Sequence, residues 1–361
     1  MTTQMTMEDV ELLRTSAREW VSAEYPAKPD HHGLEGETSS RWAEMSALGW
    51  CGTAISENAG GLGLGMTAIG VLAEELGREL VTSPLISSGL VAGEALRAQP
   101  AGATAALLGA IASGGTLVAL AFDEGAHHDG RASTATAQRH GDGWHLTARK
   151  RFVVDGTAAD WFVCTAQTDE LALFLVPRDA SQVTPLDTID GRDVAHVSID
   201  ADLGDGALLA GGAPLVSRLS DLARLGVAAE MIGAAERALE ITLSYLRTRE
   251  QFGRPIGSFQ GLQHRAALMH IDLQLARACV ANGWRVAEDE AGNLAAAASL
   301  AKFMAGEAIH RISSEIVQMH GGIGMTAEHV AGRYLKWARV SEKLYGDSRF
   351  LADRYATATG F

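Results

Sequence analysis

The chain has 361 residues, 47% of them hydrophobic and 20% charged, enough for two or three domains with sizeable cores. Its formal net charge of −14 disfavours nucleic acid and anionic membrane as partners, and no apolar run reaches the roughly 18 residues that suggest a membrane span. Cys51, Cys164 and Cys279 are far apart and form no C-x-x-C pair. They read as buried free thiols in a reducing cytoplasm, and no signal peptide is expected.

From residue 7 to about 115 the pattern is helical. Val10, Leu13, Ala17, Trp20 and Val21 keep helical spacing, as do Trp42, Met45 and Leu48, with Gly49 as a stop. The glycine-rich stretch 59–65 is a loop, and an apolar helix from Thr67 to about Val81 follows, ended by Ser83-Pro84.

Near Thr116 the texture changes to short runs: Leu117 to Phe122, Ser133 to Gln138, Trp144 to Thr147, Arg151 to Val154, Trp161 to Thr165 and Leu171 to Val176. Turn residues such as Gly141-Asp142-Gly143 separate them, which predicts a compact antiparallel β domain with Trp144 and Trp161 in its core.

From Ser220 long helices return. Ser220 or Asp221 is placed to cap the first, whose apolar stripe runs through Leu222, Leu225, Ile232, Leu239, Leu243 and Leu246. A second is expected from about Gln260 to Glu290 and a third from about Asn293 to Gln318, with two shorter ones near 328–339 and 348–357. Long antiparallel helices with short loops make a four-helix bundle. The fold class is therefore α+β, in three domains: an N-terminal helical domain at 1–115, a central β domain at 116–212 and a C-terminal bundle at 213–361.

Two glycine-punctuated segments stand at the ends of long helical patterns. One is R-T-R-E-Q-F-G-R-P-I-G-S-F-Q, Arg247 to Gln260; the other is Q-M-H-G-G-I-G-M-T, Gln318 to Thr326. Each sets a side chain able to grip an anion or an amide edge beside glycines that admit a ligand to the backbone. His320, between the second pair, reads as a satisfied surface or interface histidine. His31-His32 and His127-His128 are adjacent pairs whose members point to different sides, so no metal is expected.

These segments, in the order α, then β, then long-helix bundle, resemble the acyl-CoA dehydrogenase family of flavoproteins over nearly the whole chain. The resemblance implies FAD between the β domain and the bundle, with its adenine half gripped by a neighbouring subunit. Arg249, Phe252, Gly253 and Gln260 match the family's residues of the first segment, the arginine facing the flavin diphosphate. Gln318, Gly321 and Gly322 match Q-x-x-G-G in the second. Arg224 matches an arginine beside the substrate thioester, or it is an ordinary helix-surface arginine. The implied reaction removes a proton from Cα of an acyl-CoA and a hydride from Cβ. Electron-transfer flavoprotein or a similar carrier is the implied acceptor.

The chain departs from the family where chemistry occurs. The usual glutamate after a tyrosine near the C-terminus is missing from Leu344-Tyr345-Gly346-Asp347-Ser348, and the other known base position is Ala223. Asp347 is the nearest carboxylate, suited equally to the base and to the N-cap of the last helix. The flavin-contacting stretch reads Ala121-Phe122-Asp123-Glu124-Gly125 without its proline, and Val154 stands where a threonine usually bonds the flavin ring. The adenine-gripping half thus matches while the ring-binding half is altered. This resembles the branch whose unlike subunits pair on bulky acyl-CoAs such as steroid fragments, and the resemblance implies either a homo-oligomer or a heterotetramer with a second acyl-CoA dehydrogenase subunit. A non-catalytic partner that completes another subunit's flavin site is the alternative.

Overall fold

The computed structural model describes residues 6–28, 37–100, 104–129, 134–290 and 292–361; His31-His32 lies outside them. Contacts divide the chain into two compact units, one built on residues 37–69 and 82–223, the other on 8–28, 70–81 and 224–361.

Five helices open the chain: α1 (Met7–Glu24), α2 (Glu37–Ala47), α3 (Met66–Arg78), α4 (Gly93–Arg97) and α5 (Ala105–Ala112). α3 stops short of Val81 because Leu80 turns to φ 58. Pro84 ends nothing further; it opens a π-helical stretch, Leu85–Ala92, with all eight residues buried. Its wider turn sets Ser88 against the first strand, where its hydroxyl accepts from Val118 N at 2.8 Å and donates to Val118 O at 2.9 Å. One side chain thereby satisfies a strand-edge amide and carbonyl.

The central sheet comprises β1 (Val118–Ala121), β2 (Thr136–His140), β3 (Gly143–Val154), β4 (Trp161–Gln167), β5 (Leu171–Pro177), β6 (Ser181–Leu186), β7 (Val194–Gly204) and β8 (Leu208–Leu209). Its order is β6-β7-β3-β2-β4-β5-β8, with β1 beside β4. The long pairs β3–β7 and β4–β5 are antiparallel, as expected, but β1–β4 and the single β2–β4 contact are parallel. Pairings between strands this far apart in sequence leave no local turn signal. Alternation along β3 and β7 buries Leu146, Ala148, Val197 and Ile199 with Phe162 and Phe174. Trp144 joins this core edge-on to Phe174 at 5.5 Å, whereas Trp161, at the end of its strand, is only half-buried.

The C-terminal helices are α6 (Gly212–Thr248), α7 (Gln260–Glu288), α8 (Leu294–His320), α9 (Ala331–Ser341) and α10 (Ser348–Thr359). α6 starts a full two turns before the expected cap. Gly211 and Gly212, both at positive φ, turn the chain into it, while Ser220 bonds back to Val216 O and lies buried with Asp221 inside the helix. α3 and α6 cross backbone to backbone: a Cβ on Gly77 would fall 2.1 Å from Glu230 O, and one on Gly233 1.8 Å from Glu74 O. Beside the crossing, the fully buried Glu75 carboxylate meets Arg14 at 2.8 Å, Arg18 at 2.9 Å and Arg78 at 3.6 Å. Cys51 and Cys164 are buried and Cys279 half-buried, all three free; burial pushes the Cys164 thiol up to about 11. Among the described residues, no helix is long and apolar enough to cross a membrane.

Candidate functional site

The first glycine-punctuated segment is a small hairpin on the end of α6. Strands β9 (Glu250–Gln251) and β10 (Arg254–Pro255) pair antiparallel around a two-residue tip. The tip residues, Phe252 at φ 56 and Gly253 at φ 78, take the doubly left-handed turn that short hairpins favour. That conformation costs a phenylalanine about 1–3 kcal/mol, yet the residue is 91% exposed. Arg249 is exposed, and Gln260 is the exposed first residue of α7. In the second segment Gln318 is exposed on the last turn of α8. Gly321 (φ 64) and Gly322 face open space: among the described residues, no neighbour lies within 4 Å of where a Cβ would sit on either. An exposed guanidinium, an amide, an aromatic tip and open glycine backbone suit an extended anionic group with a planar base, so these residues fit the adenine half of FAD.

His320 differs from expectation. It is 3% exposed and packs against both Tyr245 and His329, with ring centroids 4.3 Å from each. Its Nδ1 donates to Ile316 O at 2.7 Å, and its buried Nε2 has no partner among the described residues.

In the β domain, the Phe122–Gly125 turn after β1 lines a cavity of about 510 Å³ together with His127, Thr165 and Ser220. Both carboxylates of the turn are engaged. Asp123 meets His128 Nδ1 at 2.6 Å, and Glu124 meets the buried Lys150 Nζ at 2.5 Å, which also reaches Thr165 Oγ1 at 2.9 Å. Lys150 was legible only through alternation, being in phase with buried Leu146 and Ala148. The β3–β7 register shifts between Lys150 and Val153. Inside this bulge Phe152 takes φ 54 and is 45% exposed; a bulge re-aims side chains in this way. Val154 follows, half-buried. Buried Asp155 (φ 59) accepts from Ser87 Oγ at 2.5 Å and anchors the turn beyond it. Among the described residues no group of three or more His, Cys, Asp or Glu is placed to hold a metal ion.

In the bundle, Arg224 is buried rather than on the helix surface. Its Nε donates to Tyr345 O at 2.9 Å and its guanidinium lies 5.4 Å from the Phe350 ring. Lys302 of α8, not singled out in the sequence, donates to Gly346 O at 2.8 Å and Glu342 O at 3.3 Å. Burial and the neighbouring Arg224 charge push it down to about 7. Its signal was a lysine on an otherwise apolar face with Ala298, Ala305 and Ile309. Two buried cations thus hold successive carbonyls of a segment bent by Tyr345 (φ 55) and Gly346 (φ 114). A Cβ at Gly346 would fall 2.5 Å from Phe350 Cδ1. Asp347 caps α10: its Oδ1 accepts from Phe350 N at 3.1 Å, and Lys343 lies 3.6 Å from Oδ2. The Phe350 amide and Lys343 hold its carboxyl below the usual carboxylate range.

The sequence matches two family models, "Acyl-CoA dehydrogenase, N-terminal domain" over residues 7–114 and "Acyl-CoA dehydrogenase, C-terminal domain" over residues 210–358. It is 33% identical to acyl-CoA dehydrogenase FadE27 of Mycobacterium tuberculosis over 316 residues, 84% of each chain. The ChsE4-ChsE5 complex of the same organism matches with a TM-score of 0.90 at 30% identity, covering 99% of this chain and 98% of that one. The steroid ACAD Tcur3481-Tcur3483 matches with a TM-score of 0.89 at 31% identity, covering 98% of both.

Proposed function

Because the chain belongs to the acyl-CoA dehydrogenase family, we propose that it performs α,β-dehydrogenation of an acyl-CoA as one subunit of an FAD-dependent assembly of unlike chains. The acyl group is bulky, of the steroid side-chain or ring type. The observation that carries this reading is the contrast between two sets of residues that the family resemblance assigns to the cofactor. Arg249, Phe252, Gly253, Gln260, Gln318, Gly321 and Gly322 form open, exposed surfaces suited to an adenine dinucleotide. In the turn expected to meet the flavin ring, Asp123 is bonded to His128 and Glu124 to Lys150, and Val154 offers no hydroxyl. The similarity to the ChsE4-ChsE5 complex and to the steroid ACAD Tcur3481-Tcur3483 supports the pairing and the substrate class.

FAD, when bound, supplies the hydride acceptor. Of this chain's own residues, Arg249 holds the diphosphate, Phe252 packs by the adenine, and the glycines give it backbone contact. Arg224 sets the thioester end through the Tyr345 carbonyl it grips. Asp347 removes the α-proton in this reading, since no other carboxylate stands in the loop after Tyr345. A specific observation favours a second reading, in which a partner supplies the base. Asp347 is already a helix cap, and Phe350 fills the space a side chain at Gly346 would need. The domains are taken as 1–115, 116–212 and 213–361, the acceptor as an electron-transfer flavoprotein, and the compartment as the cytoplasm. Visible spectra of the chain purified alone and with a partner test the proposal: bleaching of bound flavin by acyl-CoA is expected, and a flavin-free complex overturns it.

A further inference from the structure

The two glycine-punctuated segments are separated by some of the longest helices in the chain, yet one buried ring connects them. We propose that His320 is a positioning residue for the adenine half of the cofactor, tying the Arg247–Gln260 segment to the Gln318–Thr326 segment through a cluster of three rings. This rests on the reading of those segments as the holders of FAD. Tyr245, one turn before Arg249, packs on His320 with ring centroids 4.3 Å and planes 31° apart, and His329 packs on the same ring at 4.3 Å and 41°. Tyr245 is bonded to both segments. Its carbonyl accepts Arg249 N at 2.8 Å, and its hydroxyl donates to His320 O at 3.4 Å, immediately before Gly321. A shift of the ring therefore moves the hairpin root and the glycine pair together.

The hydrogen bonds also assign the protonation states. His320 Nδ1 faces the Ile316 carbonyl and must carry the proton, which leaves Nε2 as a buried lone pair without a partner among the described residues. His329 Nδ1 accepts the Ala331 N–H at 3.1 Å and must be unprotonated. A second proton on His320 would bury an unpaired cationic N–H, and one on His329 Nδ1 would set two donors face to face. The titratable groups packed on the His320 ring are Tyr245 from α6 and His329 from the segment before α9. Burial lowers both imidazoles below their ordinary value, His320 adding to the effect on His329. The fold thus favours the neutral rings. Their contribution is complete above the ordinary imidazole value near 6.5 and is lost as pH falls below it.

The test uses the flavin-loaded protein, with its partner subunit if one is required for loading. Flavin retained after gel filtration and the apparent Kd for FAD are measured from about pH 8 to about pH 5, across the imidazole range. His320→Ala is expected to weaken FAD binding roughly three- to tenfold at the upper pH, as for loss of an aromatic pair. His320→Phe keeps the ring contacts and is expected to bind as the wild type there, while losing much of the acid-induced release. Arg249→Ala reports the underlying reading separately. If Arg249→Ala weakens FAD binding but His320→Ala does not, or if His320→Phe releases flavin with the wild-type pH profile, the proposal is wrong. If Arg249→Ala binds FAD as the wild type does, the assignment of the segments on which it rests is wrong.

Discussion

Asp347 has two possible duties, and substitution separates them. As a cap its Oδ1 takes the Phe350 amide at 3.1 Å, a contact worth about 1 kcal/mol. Its pairing with Lys343 spans 3.6 Å between side chains 35% and 69% exposed, so it adds between zero and about 1 kcal/mol. Asp347→Ala should therefore lower stability by about 1–2 kcal/mol, and Asp347→Asn by a few tenths, because asparagine caps nearly as well. As the general base, the carboxylate accounts for roughly 10²–10⁴-fold in proton transfer, which Asp347→Asn removes while leaving the fold intact. The assay is exchange of the substrate α-proton with solvent deuterium, which reports the base without hydride transfer. Because the carboxyl is held below its usual range, the base form is present at neutral pH. Exchange is lost only as pH falls through that lowered value, beneath the ordinary carboxylate range. Asp347→Asn with normal stability and exchange reduced by these factors is the expected result. Unchanged exchange refutes the base assignment and leaves Asp347 as a cap, with the base in a partner chain.

Three further outcomes follow from the geometry. Arg249→Ala removes a charge-assisted phosphate contact and should cost about 1.5–3 kcal/mol of FAD affinity, read by equilibrium dialysis; full retention contradicts the assignment. Lys302 is pushed down to about 7, so the unfolded chain binds more protons than the native one above that value. Its contribution makes wild-type stability rise between about pH 7 and the ordinary lysine value. Lys302→Met should lack that rise, and parallel pH–denaturation curves for the two proteins would show the group to be ordinary. Glu75→Gln leaves Arg14, Arg18 and Arg78 around an uncharged group and should destabilise by about 3–5 kcal/mol, measured by denaturant titration; a loss below about 1 kcal/mol, as for an exposed pair, contradicts it.

Local patterns carried the helices and most strands, because periodicity and turn residues are properties of neighbouring residues. Boundaries were less legible. Ser220 and Asp221 resemble caps in sequence, yet the apolar spacing extends back through Leu215, Val216 and Leu219, and Gly211-Gly212 makes the real entry turn. The parallel β1–β4 pair joins strands separated by two others and has no local signature. The two glycine-punctuated segments proposed to hold the cofactor stood out in the sequence because arginine, glutamine and glycine at helix ends need no distant partner to be noticed. The burial of Lys150 and Lys302 shows in the periodicity of their strand and helix, but their partners and those of His320 do not, since Glu124, the Gly346 carbonyl, Tyr245 and His329 are not placed beside them by the sequence.

The most direct test of the heteromeric flavoprotein reading is to purify the chain alone and co-expressed with a second acyl-CoA dehydrogenase subunit, and to measure mass in solution and bound FAD on the same samples. A dimer of dimers containing both chains, with FAD retained in the complex and deficient in the isolated chain, is the result expected. An isolated monomer that carries a full complement of FAD contradicts it.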